Sequence, residues 1–167
     1  MPLKVRPVSS KRRENRPIRR LYRTSFPKKE RVSFGSMVRR AKKPHVEFLS
    51  FYQENDLAGM AYLFTWEDVL YLFYLAVPSQ VQGQGNGGKI LDLLKSRYPE
   101  HRIVLSIEPL EERAVNFSQR QRRLEFYRKN GFADIGLSST HRGVTYTTLV
   151  YGGTFTKEEW KQLWKHY

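Results

Sequence analysis

Glycines concentrate in one short segment of this sequence, where an apolar run gives way to a helical pattern. Residues 78–94 read PSQVQGQGNGGKILDLL, and Gly83, Gly85, Gly87 and Gly88 fall within a span of six residues. Glycine weakens both strands and helices, so such a cluster indicates a need for bare backbone. Free backbone N–H groups at a helix start, helped by the helix dipole, bind phosphate groups. The cluster is therefore a candidate phosphate-binding loop.

Two nucleotide-binding patterns match this segment only in part. Residues 83–89 fit G-x-x-x-x-G-K, but Ile90 stands where a Ser or Thr hydroxyl would hold Mg²⁺. Residues 83–88 fit G-x-G-x-x-G, and Glu108 follows at the distance of a ribose-binding carboxylate. Against that pattern, the strand ends at Val77, well before the first glycine, and no series of βαβ units follows.

A third pattern, Gln82-x-x-Gly85-x-Gly87, fits the segment without such conflicts. An amide residue is followed by two glycines as a helix starts, so the backbone N–H groups of residues 83–88 point outward and hold a pyrophosphate. Gln82 adds a hydrogen-bond donor without the charge of an arginine. A flexible loop would explain the glycines but not their position at a helix start.

The elements that must position this loop follow a mixed α/β pattern. Strands are predicted at 3–8, 46–55, 57–68, 69–77, 102–109 and in a hairpin over 135–153. Helices are predicted at 17–26, 33–41, 88–98, 118–132 and 154–167. Turns at Asn55-Asp56 and Glu67-Asp68 join three strands into an antiparallel meander. The helix after the glycines makes strands 69–77 and 102–109 parallel.

Local signals set several predicted boundaries. Pro17 is expected in the first turn of its helix, where a missing N–H costs nothing. Gly131 ends helix 118–132, and Thr156-x-x-Glu159 is a capping box that begins the last helix. The hairpin is expected to turn at residues 141–143.

The net charge of +14 is unevenly distributed. Residues 1–43 hold 16 of the 30 Lys and Arg and two of the 16 acidic residues, so the rest of the chain is neutral. The basic segment predicts either a polyanion contact or a solvated face without a specific partner. Tyr22, Phe26 and Phe34 lie among these cations, and aromatic side chains of this kind can stack on RNA bases.

Composition excludes several kinds of site. The chain has no cysteine, so disulfides, cysteine nucleophiles and zinc–cysteine sites are excluded. The four histidines, His45, His101, His141 and His166, form no ligand pattern, and we predict no metal. No apolar stretch reaches the ~18 residues of a membrane span, and the N-terminus lacks a secretory signal. We therefore expect a single domain over residues 1–167, located in the cytoplasm.

Two motifs resemble signatures of the GCN5-related N-acetyltransferases, the GNAT superfamily. LAVPSQVQGQGNGGKIL (75–91) is similar to their coenzyme A segment, and LEFYRKNGF (124–132) to their second signature. The order of elements agrees over nearly the whole chain. The resemblance implies an α/β fold with a GNAT-like mixed central sheet, an antiparallel meander followed by a parallel strand pair, flanked by helices. It also implies acetyl-CoA or another acyl-CoA as donor and an amine as acceptor.

The resemblance also implies roles for individual residues. The cofactor-binding residues are expected to be Leu75, Ala76, Val77, Gln82, Gly83, Gln84, Gly85, Asn86, Gly87, Gly88 and Lys89. The pantetheine arm would lie where strand 69–77 parts from strand 102–108, and the oxyanion near the Val77 N–H. Tyr127 is implied as the general acid; from the residues alone it is a core tyrosine.

Other assignments stay open at the level of sequence. Glu108 either binds or deprotonates the amine, or is a solvated strand-end carboxylate. Arg120, Arg123 and Arg128 could meet an anion, although a solvated face is favoured. Gln82 and Asn86 depart from the residues usual in the family. The alternative function is a nucleic-acid-binding protein with an inactive GNAT-like body, and a homodimer is a further expectation.

Overall fold

The computed structural model describes residues 2–167. In that range the chain forms seven strands and five helices, together with short 3₁₀ turns at Lys28–Glu30 and Ser79–Val81. The strands are β1 Lys4–Pro7, β2 Val46–Gln53, β3 Asp56–Trp66, β4 Val69–Ala76, β5 Arg102–Ile107, β6 Ala133–His141 and β7 Val144–Tyr151. The helices are α1 Arg12–Ser25, α2 Phe34–Arg40, α3 Asn86–Arg97, α4 Phe117–Lys129 and α5 Lys157–Lys165.

The chain divides into two compact units. The N-terminal unit contains the residues up to Thr65 and Leu72–Pro99, and the C-terminal unit contains Trp66–Tyr71 and Glu100–Tyr167. The boundary passes through β4, whose first three residues belong to the C-terminal unit. The predicted fold class is confirmed, since the sheet is mixed and contains one parallel strand pair.

The N-terminal unit contains the predicted meander, with neighbouring strands in the order β1, β2, β3, β4. β2 pairs antiparallel with both β1 and β3. The turn between β2 and β3 is Glu54–Asn55, one residue earlier than predicted, and Glu54 takes a φ of 56°. Six of the eight residues of β4 are buried, as its nearly continuous apolar sequence predicts.

The prediction that Pro17 lies in the first turn of its helix is wrong. The helix begins at Arg12, so Pro17 lies in its second turn rather than its first. Two features stabilise this earlier start: the Lys11 carbonyl accepts from the N–H groups of Glu14 and Asn15, and the Asn15 amide donates to the Ser9 carbonyl at 2.9 Å. Burial of one helix face then outweighs the single backbone bond that a proline removes.

The C-terminal unit holds the first three residues of β4 and the remaining strands, in the order β4, β5, β7, β6. The parallel pairing of β4 with β5, predicted from the intervening helix, covers three residues of each strand and ends at Tyr71 and Val104. β7 pairs antiparallel with β5 and β6. Arg142 and Gly143 form the hairpin turn with φ of 51° and 76°, as a type I′ turn requires.

Helix α5 begins with the predicted capping box of Thr156 and Glu159. Glu159 also forms an ion pair with Arg102 at 2.7 Å, and Arg102 pairs with Asp68 at 2.8 Å. The Arg102 hydrogen bonds lower the pKa of both carboxyl groups. One guanidinium thus joins α5, the start of β5 and the β3–β4 turn.

Gly59 on β3 permits a close approach between α3 and the end of β4. A Cβ at this position would lie 2.4 Å from Ile90 Cδ1 and 2.8 Å from the Ala76 carbonyl oxygen. The carbonyl belongs to the backbone and cannot move aside cheaply. Any larger residue would push the helix away from the strands.

We expect Gly59→Ala to lower the free energy of unfolding by about 1–3 kcal/mol, because the added methyl overpacks this contact. The measurement is urea denaturation followed by circular dichroism. Gly35→Ala is the matched control, since its Cβ would meet only Ser33 Oγ at 3.7 Å. Alanine in that helix should change stability by less than about 1 kcal/mol. Equal losses in both variants would contradict the close approach.

Candidate active site

The glycine loop leaves β4 at Ala76 and enters α3 at Asn86. Gly83 and Gly85 adopt positive φ angles of 83° and 81°, which L-residues with side chains rarely take. A Cβ built at either glycine meets no atom within 4 Å. These glycines therefore serve backbone conformation rather than packing, and the space beside them is open to a ligand.

The first turn of α3 presents unpaired backbone N–H groups. The helix starts two residues earlier than predicted, and its N-cap Gly85 supplies no side-chain cap. The first helical hydrogen bond runs from the Lys89 N–H to the Gly85 carbonyl at 3.1 Å. The N–H groups of Asn86, Gly87 and Gly88 thus precede the hydrogen-bond ladder and remain available to an anion. We call residues 82–89 the cradle.

Gln82 closes the cradle against the end of β4. Its side-chain amide donates to the Val77 carbonyl at 3.1 Å, so one amide hydrogen holds the loop and the second remains free to donate. Leu75 and Val77 are half-buried and Ala76 is buried. Gln84 is exposed and Lys89 is half-buried. The predicted cofactor-binding residues therefore lie at the end of β4 and around the start of α3.

Asn86 has a feature that the sequence did not indicate. Its side chain is only 2% exposed, and Oδ1 has no hydrogen-bond donor within residues 2–167. A buried acceptor without a donor is rare and calls for a partner such as water or a ligand. Glycine-rich patterns draw attention to the backbone, and nothing in the sequence showed that this side chain would be buried.

Tyr127 lies in the C-terminal unit at the end of α4, where a Schellman motif holds it. The Phe132 N–H donates to the Tyr127 carbonyl at 3.0 Å, and the Gly131 N–H donates to the Arg128 carbonyl at 3.1 Å. Gly131 takes a φ of 89°, as this motif requires. The rings of Tyr127 and Phe132 pack edge to face with centroids 5.4 Å apart. The YRKNGF sequence thus fixes the position of the tyrosine ring.

The phenol of Tyr127 is suited to donate a proton. The residue is 8% exposed, and burial raises the pKa of Tyr127 to about 12, with Arg123 opposing part of the rise. The hydroxyl therefore stays protonated at neutral and moderately alkaline pH. It has no hydrogen-bond partner among residues 2–167, which leaves it available to a bound molecule.

Glu108 follows β5 and is held by α4. Its Oε2 accepts from the Arg120 guanidinium at 2.8 Å, and its Oε1 accepts from the Asn116 amide at 3.1 Å. Arg120 also donates to Asn116 Oδ1 at 2.8 Å and to the Pro109 carbonyl at 2.9 Å. Both side chains of the ion pair are about one-sixth exposed. The alternative of a solvated Glu108 carboxylate and the prediction of a solvated Arg120 are both wrong, because each of these charged groups has a specific partner.

The predicted site residues fall into two groups. The cradle and residues 75–77 belong to the N-terminal unit, and Tyr127 and Glu108 belong to the C-terminal unit. Over residues 2–167, no cluster of histidine and acidic side chains has the arrangement of a metal site. None of the helices in the described part of the chain has the length and apolar character to span a bilayer.

Comparison with known proteins identifies the family. A family model described as "Acetyltransferase (GNAT) domain" matches residues 23–151. The chain belongs to the GNAT acetyltransferase family. A search of curated protein sequences found no match.

Solved structures of GNAT proteins share the fold at low sequence identity. A GNAT-family protein of Bacteroides thetaiotaomicron aligns at 17% identity and a TM-score of 0.77, over 98% of this chain and 94% of that one. An aminoglycoside 6′-N-acetyltransferase in complex with coenzyme A gives 13% and 0.69, over 88% and 95%. A Bacillus subtilis acetyltransferase in complex with coenzyme A gives 16% and 0.60, over 91% and 99%.

In this GNAT protein, Arg120→Gln is expected to lower the free energy of unfolding by about 1–3 kcal/mol, since Glu108 and the Pro109 carbonyl lose their charged donor. Chemical denaturation measures the change. In the Glu108→Gln background the same substitution should cost less, which a double-mutant cycle detects. Arg122→Gln, exposed on the same helix, is the control and should change stability by less than about 0.5 kcal/mol. An equal cost in both backgrounds would contradict the coupling.

Proposed function

We propose that this protein is an N-acetyltransferase that moves an acetyl group from acetyl-CoA to an amine by direct attack in a ternary complex. The observation that carries the proposal is the cradle of a GNAT chain, whose Asn86, Gly87 and Gly88 N–H groups precede the α3 hydrogen-bond ladder. These groups and the positive end of the helix dipole match a pyrophosphate in geometry and charge. The open space beside Gly83 and Gly85 fits the same group.

Coenzyme A complexes among the structural neighbours support the choice of donor. The aminoglycoside 6′-N-acetyltransferase and the Bacillus subtilis acetyltransferase were both solved with coenzyme A. The first of these acts on an amine, which supports N-acylation here. When bound, acetyl-CoA supplies an activated thioester, and the residues of this chain then hold it and manage the protons. A cytoplasmic location stays a prediction from sequence.

Tyr127 is proposed as the general acid. Departure of a thiolate is favoured by a proton donor, and general acid catalysis contributes typically ~10²–10⁴-fold. The pKa of about 12 keeps the Tyr127 phenol protonated over the pH range in which an amine becomes neutral. The Schellman motif and the Phe132 contact hold the ring, so the hydroxyl has a fixed position.

Glu108 is proposed to engage the acceptor amine. Each carboxylate oxygen already accepts one hydrogen bond from Arg120 or Asn116, and each oxygen can accept a second. The remaining lone pairs can hold an ammonium group or receive its proton through water. The Val77 N–H is proposed as a donor to the developing oxyanion.

The function is tested by following labelled acetyl from acetyl-CoA to a panel of amines. We expect a labelled product that resists hydroxylamine, because amides are stable to it and esters are not. We expect Tyr127→Phe to lower kcat about 10- to 10⁴-fold with little change in the KM for acetyl-CoA, since only the phenol hydroxyl is lost.

Tyr52→Phe on strand β2 makes the same chemical change away from the proposed site residues and serves as the control, so its kcat should match the wild type. A product that loses its label to hydroxylamine would contradict N-acylation. A wild-type kcat for Tyr127→Phe between about pH 7 and pH 9 would show that another group supplies the proton.

A further inference from the structure

Helix α1 carries a continuous face of arginine. At ~100° per residue, its six arginines occupy an arc of about 120° on the helix surface. They are Arg12, Arg13, Arg16, Arg19, Arg20 and Arg23. The opposite arc holds the buried residues Asn15, Ile18, Leu21 and Tyr22. Over the described chain, residues 2–167, none of these six guanidinium groups forms an ion pair with a carboxylate.

A cavity of about 690 Å³ lies against this helix in the N-terminal unit. Its lining includes five cations and no acidic residue: Arg12, Arg19, Arg23, Lys28 and Arg31. The first three come from α1 and the last two from the segment that follows it. We call this cavity and the arginine face beside it the α1 groove.

Two of the arginines in the groove are held in place by the fold. Arg19 donates to the Arg12 carbonyl at 2.9 Å and to Asn15 Oδ1 at 3.0 Å, and its guanidinium lies over the Phe34 ring. Arg31 donates to the Arg23 carbonyl at 3.4 Å. These bonds use backbone and amide acceptors, so both positive charges remain uncompensated and fixed beside the cavity.

The concentration of positive charge is unfavourable for the isolated protein. Like charges three and four residues apart destabilise a helix, and cations near its N-terminus oppose the dipole. Burial, with repulsion from Arg12, Arg23 and Arg16, lowers the pKa of Arg19. Since no carboxylate in the described part of the chain pairs with these groups, an external anion would relieve the repulsion.

The spacing of the arginines favours a long polyanion over a small ion. The six guanidinium groups are distributed over 11 helical steps, or about 16 Å, which is roughly one charge per 3.3 Å. Along a DNA double helix, each strand carries one phosphate per ~3.4 Å of helix axis. A phosphate or a nucleotide would neutralise only part of the row. Guanidinium groups also bind phosphate oxygens in pairs, which lysine cannot do.

Of the aromatic residues in this segment, Tyr22 is not available to stack on bases, whereas Phe26 and Phe34 are half-buried. Tyr22 is 2% exposed, and its ring packs against Phe26, Phe34 and Tyr74. Its hydroxyl donates to the Val32 carbonyl at 2.7 Å. The sequence suggested base stacking by Tyr22, Phe26 and Phe34; the structure places Tyr22 in the core. Five cations line the cavity, so recognition in this groove acts chiefly on the phosphate backbone of the ligand.

We propose that the α1 groove binds the phosphodiester backbone of a nucleic-acid strand without preference for base sequence. The proposal does not depend on acetyl transfer, since it rests on α1 and the segment after it. It gives the arginines of α1 a role, whereas the proposed acetyl transfer by the cradle, Tyr127 and Glu108 makes no use of them.

The test is fluorescence anisotropy with labelled single-stranded RNA and DNA of about 20 nucleotides, titrated with the full chain from about 50 to 300 mM salt. The test variant is Arg12→Gln, Arg23→Gln, Lys28→Gln, because these three side chains line the cavity and donate no hydrogen bond to any of residues 2–167. The control variant, Arg113→Gln, Arg122→Gln, Lys129→Gln, removes the same charge from exposed positions outside the groove.

We expect wild-type affinity to fall steeply with salt, and similar affinities for strands of different sequence. For single strands, each phosphate contact contributes about −0.7 to the slope of log K against log salt. The test variant should therefore make the slope shallower by about 2. The control should keep the wild-type slope. If the test variant unfolds, the double variant Arg16→Gln, Arg20→Gln on the same helix face replaces it and should make the slope shallower by about 1.4.

Several results would overturn the proposal. One is the absence of strand binding at about 50 mM salt. Another is an equal loss in the test and control variants, which would indicate attraction to net charge alone. Binding of polyglutamate as tightly as RNA would indicate an acidic protein partner instead. Displacement of the strand by tripolyphosphate at equal phosphate concentration would indicate a small-anion site.

Discussion

The open N–H groups in the first turn of α3 are the constraint on which the proposed chemistry depends. They exist because Gly85 caps the helix without a side chain and because Gly83 and Gly85 hold positive φ angles. Their direction is fixed by the packing of α3, since Ile90, Leu91 and Leu94 of this helix are fully buried. Gly59 lets this buried face of α3 reach β3 and the end of β4. The glycine loop therefore exposes the N–H groups, and the tightly packed helix holds them in place.

In the C-terminal unit, too, packing and hydrogen bonds hold the proposed functional groups in place. The Schellman motif at Gly131 and the edge-to-face contact with Phe132 hold Tyr127, while its hydroxyl has no hydrogen-bond partner within residues 2–167. Arg120 and Asn116 hold Glu108 in the same manner. Both residues are thus oriented by neighbours that do no chemistry themselves, as preorganised sites require.

Local signals in the sequence predicted much of this structure, whereas contacts between distant residues did not emerge. The capping box, the turn at Arg142-Gly143 and the helix end at Gly131 each depend on neighbouring residues, and all three are present. The Glu108–Arg120 pair and the contact at Gly59 join separate elements, so no local pattern predicts them. The prediction that the helix begins at Pro17 was wrong, because burial along α1 outweighed the preference of proline for the first turn. That earlier helix start is also what aligns the six arginines.

The central claim is that the backbone of the cradle binds coenzyme A, and calorimetric titration with acetyl-CoA tests it most directly. Gly85→Asp places a carboxylate beside the bound pyrophosphate, whereas Gly143→Asp makes the same change at a similar φ in an open hairpin turn. We expect wild type and Gly143→Asp to bind acetyl-CoA alike and Gly85→Asp to lose at least tenfold in affinity, or about 1.4 kcal/mol. Equal binding by all three proteins would contradict the central claim.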